Sequence, residues 1–92
     1  MNKIYIVTCK ESIGVDTTYG VVGGRFFDDE NKAKDFLREQ GNRRKENLIK
    51  EYPIKNATAQ YTSYSYIFYG DDFHGDEMIR FAMELVALPR AE

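Results

Sequence analysis

The chain has 92 residues, of which 42% are hydrophobic and 30% are charged, and its formal net charge is −2 at pH 7. This length supports one domain with a single modest core, and the composition is that of a globular protein rather than a disordered one. The small negative charge also disfavours tight nucleic-acid binding, because such binding depends on several lysine or arginine contacts with phosphates.

The N-terminal segment KIYIVTC, residues 3–9, is predicted to form a central strand. It is rich in β-branched and aromatic residues and is apolar on both faces. Its apolar run, residues 4–7, is too short for a signal peptide or a membrane span. Cys9 is the only cysteine, so no internal disulfide is predicted. We therefore expect a cytoplasmic protein with no membrane partner, in which Cys9 packs as a small hydrophobic side chain.

The segment YGVVGGRFF, residues 19–27, is predicted to be a second strand that returns antiparallel to the first. A polar connection that contains a glycine separates the two segments. The adjacent residues Gly23 and Gly24 interrupt the strand pattern, and we interpret them as a β-bulge.

The segment DDENKAKDFLREQ, residues 28–40, begins a predicted helix. Asp28 or Asp29 can accept hydrogen bonds from the free N–H groups of the first turn. Gly41 allows either two helices or one kinked helix that continues to about residue 51, and the unbroken apolar spacing favours one helix. Pro53 ends the element. The apolar residues with this spacing are Ala33, Phe36, Leu37, Leu48, Ile49 and Tyr52.

The segment ATAQYTSYSYIFYG, residues 57–70, is predicted to be a strand within the sheet. Both of its faces carry aromatic residues, so we expect one face to pack on the helices and the other to stay partly open. One face carries Tyr64, Tyr66 and Phe68, and the other carries Tyr61, Ser63, Ser65, Ile67 and Tyr69.

The last segment, DEMIRFAMELVALP, residues 76–89, is predicted to be a helix with a broad apolar face. This face is wider than a small sheet needs, so we expect a homodimer that forms through the C-terminal helix. The complete prediction is a single α+β domain, residues 1–92, of order β-β-α-β-α, in which a small antiparallel sheet packs against two helices. The apolar face of the last helix consists of Met78, Ile79, Ala82, Met83, Leu85 and Val86.

The stretch YGDDFHGDEM, residues 69–78, concentrates carboxylates around the only histidine. Asp72, His74 and Asp76 have the side-chain chemistry of metal ligands. They lack the i, i+4 spacing on a helix that fixes many such sites, and no nucleophile or cofactor motif accompanies them. Because capping of the last helix already explains these acids, we predict no metal site, no cofactor and no catalytic residue.

Five residues support an alternative prediction, a nucleic-acid-binding regulator. Arg43, Arg44 and Lys45 form a basic patch on the predicted helix that can contact phosphates. Tyr64 and Tyr66 belong to a tyrosine-rich sheet face that can stack on single-stranded bases.

The segments KIYIVTCKES and VVGGRFFDDENKAKDFL, residues 3–12 and 21–37, resemble the small proteins that phages and prophages encode in large numbers. The shared features are a strand with Val-Thr, a return strand that ends in aromatic residues, and an acidic cap before a helix. The resemblance covers roughly the first 40 residues. It implies a non-enzymatic protein of the host cytoplasm that binds and inhibits or redirects a host enzyme.

Within that class, the acidic residues resemble those of the DNA-mimic anti-restriction inhibitors of T-even phages. This resemblance implies an acidic surface that occupies a host nuclease, a restriction or defence component, or a DNA-binding protein. Because the net charge is only −2, mimicry requires the carboxylates to gather on one face, where they can approximate the closely spaced charges of duplex DNA. The candidate partner-binding residues are Asp28, Asp29, Asp35, Glu39, Asp71, Asp72, Asp76 and Glu77.

Overall fold

The computed structural model describes residues 3–72 and 78–89 of the chain. Within them, five strands form one antiparallel sheet, and a single long helix covers one face of that sheet. The elements are β1 (Lys3–Ile13), β2 (Asp16–Val21), a short 3-10 turn (Val22–Gly24), α1 (Glu30–Glu51), β3 (Ile54–Tyr61), β4 (Ser65–Asp72) and β5 (Met78–Pro89). Across the sheet, the strands follow the order β2-β1-β5-β4-β3. The predicted β-β-α-β-α order with two helices is therefore wrong.

β5 replaces the predicted C-terminal helix and lies in the sheet between β1 and β4. Its buried residues alternate, since Ile79, Phe81 and Met83 are buried whereas Arg80 and Glu84 are exposed. Methionine, alanine, glutamate and leucine favour helices, but these preferences span only about 0.7 kcal/mol per ordinary residue. Hydrogen bonds to strands on both sides outweigh them here. The expected dimer through a C-terminal helix consequently loses the element on which it was based.

The strand predicted over residues 57–70 is in fact a hairpin of two strands, β3 and β4. Its turn is closed by a 2.9 Å hydrogen bond from the backbone N–H of Thr62 to the carbonyl of Ser65. The hydroxyl of Thr62 also accepts a 3.1 Å hydrogen bond from the N–H of Tyr64. Side chains of this kind favour turns because they satisfy the local backbone groups.

The predicted first hairpin is formed by β1 and β2, but β2 begins earlier and ends sooner than expected. Gly23 and Gly24 lie in the 3-10 turn after β2, with φ angles of +67° and +61° that glycine adopts readily. The bulge predicted at this glycine pair is therefore wrong. The irregular pairing occurs instead in β3, between Lys55 and Thr58.

α1 is one continuous helix, as the apolar spacing predicted, and Asp29 is its N-cap. The Asp29 carboxylate accepts hydrogen bonds from the N–H groups of Asn31 and Lys32, at 2.8 and 3.2 Å. Gly41 lies in the buried face of the helix. A Cβ atom at this position would stand 2.9 Å from Cδ1 of Tyr66 and closer still to Cγ, so glycine allows the helix to approach the sheet closely.

The hydrophobic core lies between α1 and the face of the sheet that α1 covers. Aromatic rings stack across β3, β4 and β5, with centroid distances of 5.5 Å, 5.9 Å and 5.6 Å along the row Tyr61, Tyr66, Phe81 and Phe68. The opposite face of the sheet has no helix on it in the described part of the chain. The buried residues of the core cluster are Val7, Leu37, Leu48, Tyr66, Phe68, Ile79, Phe81 and Met83.

Candidate functional site

The uncovered side of the sheet, which we call the open face, is defined by strand alternation and register. Residues paired directly across neighbouring strands project to the same side of the sheet. One row of the open face runs across β2, β1, β5 and β4, and the next row runs beside it across the same strands. The first row consists of Tyr19, Lys10, Ala82 and Ile67, and the second consists of Thr17, Ser12, Arg80 and Tyr69.

The centre of the open face is a shallow concavity of about 500 Å³. Large apolar and aromatic side chains are exposed in and around it, with Tyr19 72% exposed, Met78 52% and both Ile67 and Tyr69 40%. Exposed groups of this size mark binding surfaces when they lie next to one another. The residues that line the concavity are Lys10, Ser12, Ile67, Tyr69, Met78, Arg80, Phe81 and Ala82.

Two positive charges lie between the exposed tyrosines of the open face. Lys10 is on β1 beside Tyr19, and Arg80 is on β5 beside Tyr69. Among the described side chains, no carboxylate forms an ion pair with either of them. The centre of the open face thus offers flat aromatic rings for stacking and two cationic groups for an anionic ligand. Lys55, Asp71 and Glu84 project to the same side away from this centre.

The predicted basic patch lies elsewhere, on α1, and its arginines have acidic partners. The Arg44 guanidinium makes a two-pronged contact with the Glu11 carboxylate of β1, with a 3.1 Å bond from Nε. This hydrogen bonding to Glu11 raises the pKa of Arg44. Arg43 lies 3.4 Å from Glu39 one turn earlier in the helix. Lys45, the third member, is half-buried.

The two predicted binding tyrosines are also away from the open face. Tyr66 is fully buried under α1, and its hydroxyl donates a 2.7 Å hydrogen bond to the side-chain carbonyl of Asn42. Tyr64 is exposed in the turn between β3 and β4, where the Lys34 ammonium lies 4.7 Å from the centre of its ring. The tyrosines exposed on the open face are instead Tyr19 and Tyr69.

The candidate acidic residues do not form one cluster in the described part of the chain. Asp28 and Asp29 are exposed at the start of α1, and Asp35 and Glu39 follow along its exposed side. Asp71 is in β4, where it accepts a 3.4 Å hydrogen bond from the side chain of Asn56. The remaining acidic candidates lie outside the described groups, since only the backbone of Asp72 is described and Asp76 and Glu77 fall between residues 72 and 78. His74, which was considered as a metal ligand, falls in the same interval.

The length of the sheet separates the first acidic pair from Asp71. Phe27, which precedes the pair, bridges to Tyr5 near the start of β1. Asp71 pairs with Met78 of β5. The next residue of β5, Ile79, pairs with Ile13 at the far end of β1. Eight residues of strand separate these two positions on β1, which corresponds to about 26 Å at about 3.3 Å per residue.

Cys9 lies on the covered face of β1 and packs against the core, as the sequence analysis predicted. Burial, and to a smaller extent the nearby Glu11 carboxylate, raise the pKa of its thiol to about 11. The thiol is therefore protonated at neutral pH, where a protonated thiol is a poor nucleophile.

These features define a small two-layer domain, one helix on a five-stranded antiparallel sheet, with an aromatic and cationic open face. No protein-family model matches the sequence, and no significant match is found among curated proteins or solved structures. Within the described residues, no three His, Cys, Asp or Glu side chains are grouped so that they could hold a metal ion. No helix among the described residues is both long enough and apolar enough to cross a membrane.

Proposed function

We propose that the protein is a non-enzymatic binding module whose open face holds single-stranded nucleic acid. The observation that carries this proposal is the exposure of Tyr19 and Tyr69 on one uncovered sheet face, with Lys10 and Arg80 between them. Aromatic side chains of open sheets stack on bases, and neighbouring lysine and arginine side chains contact the phosphates.

The spacing of the two tyrosines suits a short length of single strand. Tyr19 is on β2 and Tyr69 is on β4, and β1 and β5 lie between them. Three steps of about 4.8 Å between strands correspond to about 14 Å across the sheet. This distance is roughly four nucleotides at the 3.4 Å rise of a stacked strand, and fewer when the strand is extended.

Binding should depend more on stacking than on charge, because Lys10 and Arg80 are the only cations among the described residues that line the concavity, and the same face also carries the carboxylates of Asp71 and Glu84. Two phosphate contacts on a single strand give a salt slope, the change of log affinity with log salt concentration, of about −1.4. Such a shallow slope agrees with the net charge of −2, which disfavours a mode of binding dominated by phosphates.

The test is a fluorescence anisotropy titration of a labelled single-stranded oligonucleotide at several salt concentrations. Tyr69→Ala should weaken binding by about 5- to 150-fold, the loss expected for one base stack. Tyr64→Ala is the matched control, because Tyr64 is equally an exposed tyrosine but lies away from the open face. Arg80→Ala should reduce the slope to about −0.7, whereas Arg43→Ala should leave it unchanged.

Two results would contradict the proposal. One is the absence of binding by the wild-type protein at low salt. The other is an equal loss of affinity in Tyr69→Ala and Tyr64→Ala, which would show that the open face is not the site.

We keep the inhibition of a host nucleic-acid enzyme through an acidic surface as a second proposal. It is favoured by the exposed carboxylates of Asp28 and Asp35, for which the described side chains provide no ion-pair partner. Its test is capture of a nuclease or restriction component from a nuclease-treated bacterial lysate. Reversal of Asp28 and Asp35 together to Lys should abolish that capture, and unchanged capture would contradict the assignment.

A further inference from the structure

The outer edge of β2 is an unpaired edge of the sheet. β1 pairs with one side of β2, and no described strand pairs with the other. All six residues of β2, Asp16–Val21, are exposed. The N–H and C=O groups along such an edge are a template for another strand.

The other free edges of the sheet carry features that prevent pairing. The outer strand β3 has an irregularity between Lys55 and Thr58, with Asn56 at a φ of +56°. β5 extends beyond the last residue that pairs with β4, Glu84. This extension ends at Pro89, which has no N–H group to donate. Bulges, lysines and prolines are the usual means by which natural sheets block their edges. β2 contains none of them, and its threonines and tyrosine favour a strand.

The sequence of β2 is complementary to itself in one antiparallel register. When Thr18 faces Thr18 of a second copy, Thr17 faces Tyr19, and Asp16 faces Gly20. Threonine pairs and threonine–aromatic pairs are favourable across antiparallel strands. The only charged side chain of the strand thus faces a glycine instead of a like charge.

The surroundings of Gly20 also suit the partner's acidic group. The cavity beside Gly20 contains Cys9 and Val22, and these two residues also line the adjoining cavity, whose wall includes Arg43 of α1. An aspartate placed opposite Gly20 would lie on the side of the sheet that carries Arg43. Glu11 and Glu39 on that side are each paired with an arginine, Arg44 and Arg43. The partner's Asp16 would therefore meet no uncompensated like charge there among the described side chains.

We propose that two copies of this chain pair antiparallel through their β2 edges, with a two-fold axis at Thr18, to form a continuous ten-stranded sheet. Both helices then lie on one side of this sheet and both open faces on the other. The pairing does not rest on the proposed nucleic-acid binding, because it uses the backbone edge and not the open face.

The pairing is tested by disulfide cross-linking without nucleic acid, in a Cys9→Ser background. Thr18→Cys places the two sulfurs opposite each other, at a Cα separation of about 4.5 to 5.5 Å that a disulfide can span. Thr17→Cys is the matched control on the same strand. In the proposed register each introduced cysteine faces Tyr19 of the other copy and not the other cysteine. We expect a covalent dimer for Thr18→Cys and at least about tenfold less for Thr17→Cys.

Sedimentation equilibrium of the otherwise unmodified chain gives a second readout. The wild type should associate as its concentration rises, and Thr18→Lys should weaken the dimer by at least about tenfold, because like charges then meet at the axis. Thr58→Lys on β3 is the control and should leave association unchanged. A wild-type chain that stays monomeric, or equal cross-linking of Thr18→Cys and Thr17→Cys, would overturn the proposal.

Discussion

At the scale of single residues, Gly41 shows how one position sets the distance between helix and sheet. The sequence pattern placed Gly41 within the apolar spacing of α1, but its packing against Tyr66 depends on a residue 25 positions later in the chain. A helical glycine ordinarily costs about 1 kcal/mol relative to alanine. Here the absence of a Cβ atom stabilises the fold, because it leaves room for the aromatic ring.

Gly41→Ala should therefore destabilise the protein by about 1 to 3 kcal/mol, although alanine favours a helix. The added methyl group overpacks the core and displaces the Tyr66 ring, whose hydroxyl is bonded to Asn42. Urea denaturation measures the free energy of unfolding. Gly20→Ala is the control, since a Cβ atom there meets nothing within 4 Å. A Gly41→Ala variant more stable than the wild type would refute this account of the packing.

The thiol of Cys9 gives a pH dependence with a defined sign. Its pKa of about 11 in the folded protein lies above the ordinary value of 9.0, so the unfolded chain loses this proton first as pH rises. The contribution of Cys9 to the free energy of unfolding should be complete below pH 9 and decline between pH 9 and about 11. Cys9→Ala should show a smaller decline over this range in parallel denaturation curves. A native thiol that reacts at pH 7 as fast as the denatured one would contradict the burial.

At the scale of elements, the sequence identified those whose patterns are local. β1 is recognisable because it is apolar on both faces, and α1 because its cap, Asp29, and its apolar spacing agree. β5 was missed because its residues fit a helical face and an alternating pattern equally well. Only pairing with β1 and β4, which are distant in sequence, selects the strand.

The open face was partly visible in the sequence. Alternation separated Tyr66 from Tyr69, but no local signal indicates which of these two faces α1 covers. The hairpin turn at Thr62 adds a second obstacle, since it breaks the alternation that had grouped Tyr61 with Tyr69. In the structure Tyr61 pairs with Tyr66 on the covered side, and Arg38 of α1 lies 3.8 Å from its ring centre.

At the scale of the whole molecule, the chain is a half-covered sheet, about 51 × 22 × 17 Å in its described part. One helix of 22 residues covers the side that holds the core. The other side retains exposed aromatic and cationic residues, and the β2 edge would join two such faces into one surface. This arrangement separates the core, on the side of α1, from the proposed binding surface, on the open face.

The most direct test of this separation is an NMR titration of the isotope-labelled protein with a single-stranded oligonucleotide. We predict that the amide resonances of Lys10, Tyr19, Tyr69 and Arg80 shift with increasing ligand, while those on the exposed side of α1, such as Asp35, stay in place. Shifts confined to α1, or no shifts at ligand concentrations well above that of the protein, would contradict the assignment of the open face as the binding surface.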